Sequence, residues 1–269
     1  MKRYMRRLLI AVLTGITLSA TAQNITKPDL APVKELPVLF HQTAAEYRAL
    51  CYQAFNTAKL QLELQLKKKK RKEKWAIVTD LDETILDNSY SEAKLIKEGK
   101  EYTGASWKQW VNLAAATEVP GASDFLRWVK AQGISIFYIS NRDTSDVVRT
   151  IDNLKGLKLP DADTAHTLFK SSTSSKEERR KKVMQNYQVV MLLGDNLTDF
   201  TAFFEEKDLA QRAAETDKVR TSWGQKFIML PNAIYGDWEN AIYNYQRGLT
   251  PEQKEAKRKS LLKEPPTVQ

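Results

Sequence analysis

The sequence predicts an α/β fold built on a parallel sheet. Three apolar runs predict it, at residues 75–79, 134–140 and 189–194. Each leads straight into a polar cluster: Asp80 and Asp82, then Ser140, Asn141 and Arg142, then Asp195 and Asn196. Helical stretches separate the runs, as parallel βαβ units require. Open sheets of this kind place their chemistry just past the carboxyl ends of their strands.

Taken in order, the chain opens with Lys2, Arg3, Arg6 and Arg7, an apolar stretch over 8–18, and Ala20-Thr21-Ala22. This is the pattern of a signal peptide over residues 1–22, cleaved after Ala22, and its apolar stretch is short for a bilayer span. Export to the periplasm or beyond is therefore expected. The only cysteine, Cys51, lies far from that cleavage point and excludes an intramolecular disulfide.

Residues 23–74 should form an N-terminal arm and helix packing on the core. The arm, 24–37, is polar and Pro-rich and is expected to be extended. Residues 44–70 contain neither Gly nor Pro and read as a helix. The basic run from Lys67 to Lys72 should close that helix, where cations suit the C-terminal dipole. An α/β core follows over 75–230, with an insertion at about 88–120. There Trp107, Trp110, Val111 and Ala114 fall at i, i+3, i+4 and i+7, the spacing of a packed helix. Residues 231–269 return to a helical pattern and end near Pro265 and Pro266.

The pair Asp80 and Asp82 carries the strongest chemical signal. An extended chain would point both side chains to one face. Two carboxylates so close are costly unless a cation or a shared proton relieves them. The pair therefore points to a divalent metal, a nucleophile and an acid/base group in one place. The available ligands are hard oxygens, and His41 and His166 have no metal spacing, which favours Mg²⁺.

Five groups of residues extend this signal: Asp80, Asp82 and Thr84; Ser140, Asn141 and Arg142; Lys176 with Arg179; Gly194, Asp195, Asn196, Asp199 and Phe200; and Pro231, Asn232, Tyr235, Gly236, Asp237 and Trp238. On these the chain from about residue 80 to 238 resembles the class C ("DDDD") bacterial acid phosphatases of the haloacid dehalogenase superfamily. The resemblance implies a Rossmann-like core with a parallel sheet. A small helical cap or second domain, from the insertion and terminal helices, should overhang the site.

The resemblance also implies roles. Asp80 is the nucleophile, giving an aspartyl-phosphate. Asp82 is the general acid and base, its pKa raised by the neighbouring carboxylate. The metal ligands are Asp80, the backbone carbonyl of Asp82, and Asp195, with Asp199 orienting Asp195 or a metal-bound water from behind. Lys176 neutralises phosphoryl charge and holds Asp80, while Ser140 and the backbone amide of Asn141 bind phosphoryl oxygens. Thr84 shapes the loop, and Glu83 and Asp87 are structural. Arg142 and Arg179 either support the phosphate site or make ion pairs. Trp107 and Tyr235 match positions that clamp the base of a nucleotide substrate; read alone they are helix core and a turn aromatic.

The expected function is thus a secreted, Mg²⁺-dependent acid phosphatase acting on phosphomonoesters, nucleoside 5′-monophosphates among them. A narrower sugar phosphatase, a phosphotransferase, or a binding protein on the same fold are the alternatives. Class C relatives are often lipoproteins anchored through an N-terminal cysteine. Without that cysteine no stable membrane anchor is expected, whereas a homodimer fits the family. The net charge is +9, of which the leader holds four positive charges and no acid, leaving +5. A basic surface suits anionic small molecules; no nucleic-acid-binding signature accompanies the Lys run, so no such polymer is expected. Arg-His-Gly, Gly-x-Ser-x-Gly and phosphate-loop patterns are all missing, which excludes histidine phosphatases, serine hydrolases and P-loop enzymes.

Overall fold

The computed structural model describes residues 31–70 and 72–266; the expected leader and its cleavage point lie outside them. The described residues begin with α1 (Ala31–Thr43) and α2 (Ala45–Leu66), followed by β1 (Trp75–Thr79) and β2 (Leu86–Asp87). Then come α3 (Ser89–Lys97), α4 (Gly104–Leu113), β3 (Thr117–Glu118), α5 (Ala122–Ala131), β4 (Ser135–Asp143) and α6 (Val147–Gly156). The remainder is β5 (Thr167–Lys170), α7 (Glu177–Met184), β6 (Gln188–Gly194), α8 (Leu209–Lys218), β7 (Phe227–Met229), α9 (Asp237–Ile242) and α10 (Pro251–Ser260).

Five strands form one sheet in the order β5-β4-β1-β6-β7, and every pairing in it is parallel. The expected α/β class is therefore present. All five residues of β1 are buried, because helices cover both faces of a parallel sheet. On one face Ile77, Ile136, Tyr138 and Met191 pack with Leu62 of α2, Leu126 of α5 and Leu154 of α6. On the other, Val78, Ile139 and Leu192 meet Val183 of α7 and Phe200. Helix α5 shows why such helices form: Ala122, Phe125, Leu126 and Val129 are buried at helical spacing, giving one continuous apolar stripe.

The insertion leaves and re-enters the core through the short antiparallel pair β2–β3. Its helix α4 starts two residues earlier than the sequence suggests. Thr103 accepts from Ser106 N while the Ser106 hydroxyl takes Thr103 N, a capping box that closes the first turn.

Two expectations change. The described part of the arm, from Ala31, is helical despite Pro37 inside α1. Proline removes one hydrogen bond there. Docking offsets the loss: Val38 and His41 are buried, and Gln42 Nε2 donates to Ser89 Oγ of α3 at 3.2 Å. Helix α2 ends at Leu66, with no cation in its last turn. The run starts at the C-cap, Lys67, where a cation suits the dipole, but the rest of it lies beyond the helix. Consecutive like charges repel, which disfavours a further turn of helix.

Candidate active site

The order of the strands fixes where a site can form. From β1 the chain steps outward through β4 to β5, then crosses back to β6 on the other side of β1. Connections depart on opposite sides at this switch point, leaving a crevice beyond the carboxyl end of β1. The chain leaves β1 with Asp80 N donating to Leu193 O at 3.0 Å. It then folds tightly around the Leu81 carbonyl, which accepts from Ile85 N and Leu86 N, both at 2.8 Å. Glu83 takes φ 56°, the left-handed region where side chains crowd the backbone. Its buried carboxylate accepts Asn88 N at 2.8 Å. Burial, then the charge of Asp82, push that carboxyl well above the usual range.

The turn separates the two aspartates rather than leaving them to share a proton. Asp80 Oδ1 accepts from Lys176 Nζ at 2.5 Å, and the same ammonium reaches Asp199 Oδ1 at 2.6 Å. Burial raises the Asp80 pKa to about 7 against the pull of Lys176, with the charges of Asp199 and Asp82 adding to the rise. Lys176 sits at the start of α7, and despite burial its two carboxylates hold its pKa above the ordinary lysine value. Asp82 faces away, toward Arg142, whose Nη2 and Nε donate to it at 2.7 and 3.1 Å. Asn88 Nδ2 adds a bond at 2.9 Å and Ser140 Oγ one at 3.3 Å. Burial opposes ionisation of Asp82, but Arg142 and Asn88 outweigh it and lower the pKa. This reverses the expected rise: the neighbour that decides is a guanidinium, not the second carboxylate.

Asp195 follows β6. It accepts from Asn232 Nδ2 at 2.7 Å and Thr84 Oγ1 at 3.3 Å. Burial, with Asp199 and Asp80 nearby, pushes its carboxyl well above the usual range. Ligand oxygens of Asp80, Asp195 and Asp199 lie within 4.8 Å of one another. Three desolvated carboxylates face one lysine, and every donor is a hard oxygen. That donor set fits a divalent cation. Asp199 is the least free of the three, since Oδ1 holds Lys176 and Oδ2 accepts Asn196 N at 2.9 Å. Gly194 makes this possible: a Cβ there would overlap the Asp199 side chain.

These groups floor a cavity of about 420 Å³, with Trp107, Tyr235 and Tyr102 among its wall residues. Trp107 reaches it from α4 and also stacks on Arg142, 5.2 Å from ring centre to guanidinium. Asn141 lines the cavity, whereas Ser140 is fully buried behind Asp82 and accepts Arg142 N at 3.1 Å. The two open arginine assignments separate. Arg142 pairs with Asp82. Arg179 instead ties loops together, donating to Ser140 O and Asn141 Oδ1 at 2.6 Å and to Ser175 O at 3.0 Å.

Sequence reasoning missed several participants. Asn88 links Asp82, Arg142 and, at 2.8 Å, Trp110 Nε1. Buried Arg180 braces the backbone of Thr198 and Asp199 at 3.0 and 2.8 Å. Lys34 of α1 and Glu92 of α3 pair at 3.1 Å on the cavity wall, with the ammonium 5.8 Å from the Tyr235 ring centre. Only folding brings these segments together, so no local pattern marked them.

A parallel sheet whose switch-point crevice gathers acid groups around one buried lysine, beside a cap, defines a phosphoryl-transfer α/β enzyme. Residues 6–238 match the family described as HAD superfamily, subfamily IIIB (Acid phosphatase). The chain is also similar to the class C acid phosphatase from Bacillus anthracis, at 40% identity, covering 88% of this chain and 99% of that one, with TM-score 0.84. A second structure of that enzyme, with tungstate bound, matches at 39% identity, 88% and 99% coverage and TM-score 0.83. The chain belongs to the subfamily IIIB acid phosphatases of the haloacid dehalogenase superfamily, and it is a phosphomonoesterase.

Proposed function

We propose that this is an exported, Mg²⁺-dependent acid phosphatase that cleaves small phosphomonoesters, nucleoside 5′-monophosphates included, through an aspartyl-phosphate. The observation that carries this is Lys176 bridging Asp80 and Asp199 beside Asp195, on the floor of a cavity with aromatic walls. Tungstate, a tetrahedral oxyanion like phosphate, is bound in a structure of the Bacillus anthracis relative, which supports a phosphoryl-binding crevice. Export rests on the leader pattern at residues 1–22, and a mature amino terminus at Gln23 is its test.

In this scheme an oxygen of Asp80 forms a bond to phosphorus as the ester oxygen departs with the bonding pair. Asp82 gives its proton to that oxygen, then takes one from the water that displaces phosphate from Asp80. Lys176 offsets the charge on the phosphoryl group and fixes Asp80. Ser140 holds Asp82 in place, and the Asn141 amide binds a phosphoryl oxygen. Asp80, the Asp82 carbonyl and Asp195 would hold Mg²⁺, which supplies charge neutralisation at the phosphoryl oxygens when bound. Asp199 orients the group. Arg142 keeps Asp82 acidic, so its protonated form is confined to acid pH, as acid phosphatase activity requires. Trp107 and Tyr235 stack on the leaving group, a contact worth about 1–3 kcal/mol per base.

A phosphate-release screen over nucleotides, sugar phosphates and aryl phosphates tests the proposal. Chelation should abolish turnover and Mg²⁺ restore it, and Asp80→Asn should lose at least about a thousandfold, since an amide is a poor nucleophile. Trp107→Ala should weaken nucleotide turnover about five- to a hundredfold and small aryl phosphates less. Full activity after exhaustive chelation, or a near wild-type Asp80→Asn enzyme, would overturn the mechanism. Equal losses on both substrates would remove the clamp.

A further inference from the structure

The basic run, most of it past the end of α2, has a definite place in the fold. It links the end of α2 to the start of β1, so it lies at the amino edge of the sheet. Lys74 O accepts Gln188 N at 2.8 Å, which sets the amino ends of β1 and β6 side by side. Helices α6 and α7 return to this same edge and carry Lys155 and Lys182 in their last turns. The catalytic crevice is at the other end of the strands, roughly 16 Å away across the five residues of β1.

Lys67, Lys68, Lys70, Lys72 and Lys74 are all exposed. None of them has an ion-pair partner among the described residues. Lys69 is half-buried, its ammonium 5.3 Å from the Trp75 ring centre. The one acid in the run, Glu73, accepts instead from Lys70 N and Trp75 Nε1, at 3.2 and 3.1 Å. So dense a patch of unpaired like charge repels itself and destabilises the compact state. Substrate steering does not explain it, because charges beyond the ~8–10 Å screening length contribute little at the crevice in physiological salt.

We propose that this basic pole is a docking surface for an anionic lipid bilayer, holding the enzyme reversibly with its catalytic mouth turned toward solution. Charge complementarity carries the proposal: lysines near such a surface are each worth about a fivefold gain in partitioning. The patch favours lipid over nucleic acid. Its charge is mainly compact ammonium, Arg71 being the one planar guanidinium in the run. The aromatic that ends the run, Trp75, is buried beneath Lys69 and cannot stack on a base. The contact is salt-sensitive and is not an anchor.

The test is sedimentation of the purified, active enzyme with vesicles of phosphatidylglycerol and phosphatidylcholine, against phosphatidylcholine alone. Binding should appear only with the anionic lipid at ~0.1 M salt and be lost at ~1 M, where screening reaches ~3 Å. Replacing Lys67, Lys68, Lys70, Lys72 and Lys74 together by Gln should cut partitioning at least about a hundredfold. The phosphatase rate should be unchanged, which shows that the variant folds. Replacing the same five by Arg should retain binding. Three results would overturn the proposal: no preference for anionic vesicles, equal binding by the Gln variant, or tighter binding of a DNA or RNA oligonucleotide than of vesicles in the same salt.

Discussion

Arg142 decides how the second aspartate behaves. It bonds Asp82, Thr150 and Asn88 at once while almost wholly buried, so its position is fixed. Its charge is what lowers the Asp82 pKa against burial. Removing that charge raises the pKa, so the protonated acid persists to higher pH. Arg142→Gln should therefore move the alkaline fall of kcat/KM to higher pH, while turnover at the wild-type optimum drops about tenfold or more as the acid loses its alignment. A pH–rate profile of the variant checks this; an unmoved alkaline limb would show that Asp82 is not the titrating acid. The proton balance of the cluster is linked to the same arrangement. With Asp80 raised to about 7 and Asp195 also raised well above the usual range, cation binding near neutral pH should release protons, because carboxylates bind metal in their ionised form.

At the scale of elements, the end of β6 is the most constrained junction. Gly194 ends the strand, and Asp199 folds back over it to reach Lys176. Gly194→Ala forces a Cβ into that side chain and should cost about 1–3 kcal/mol of stability as overpacking does. Turnover should fall at least about tenfold as Asp199 is displaced. Denaturant midpoints and kcat measure the two effects, and an unchanged kcat would mean that Asp199 does not position Lys176. The strands β1, β4 and β6 were legible in the sequence because burial on both faces makes them continuous apolar runs. The edge strand β5 was not, since it has four residues and only Thr167 and Phe169 are buried. The two-residue pair β2–β3 leaves no periodicity at all, and Pro37 hid α1. Asp80, Asp82, Lys176, Asp195 and Asp199 were legible because each follows a strand end or begins a helix in a distinctive pattern. Asn88, Arg180 and Lys34 were not, because their importance arises only from tertiary proximity, and Asn232 stood in the pattern without its bond to Asp195.

For the whole molecule, the N-terminal helix pair links stability to pH. His41 is buried against Tyr47, 4.2 Å between ring centres, and its Nδ1 has no hydrogen-bond partner among the described residues. Burial lowers its pKa from 6.5 to about 4. Above pH 6.5 both the folded and unfolded forms are neutral, and the contribution is intact. As pH falls from 6.5 to 4 the unfolded chain takes up a proton that the fold refuses, and stability declines by about 3 kcal/mol in all. Urea midpoints at pH 7.5 and 4.5 should show this decline, and His41→Gln should flatten it; an equal decline in the variant would assign the effect elsewhere. The fold's dispersal of its active groups has a further consequence. Lys176 and Asp80 are 96 residues apart in the chain, and Tyr235 joins the same cavity from beyond both. A nascent polypeptide thus holds no fragment of working catalyst. Hydrolysis begins only when the segments through Tyr235 have emerged and closed on one another, so the chain is chemically silent throughout its own synthesis.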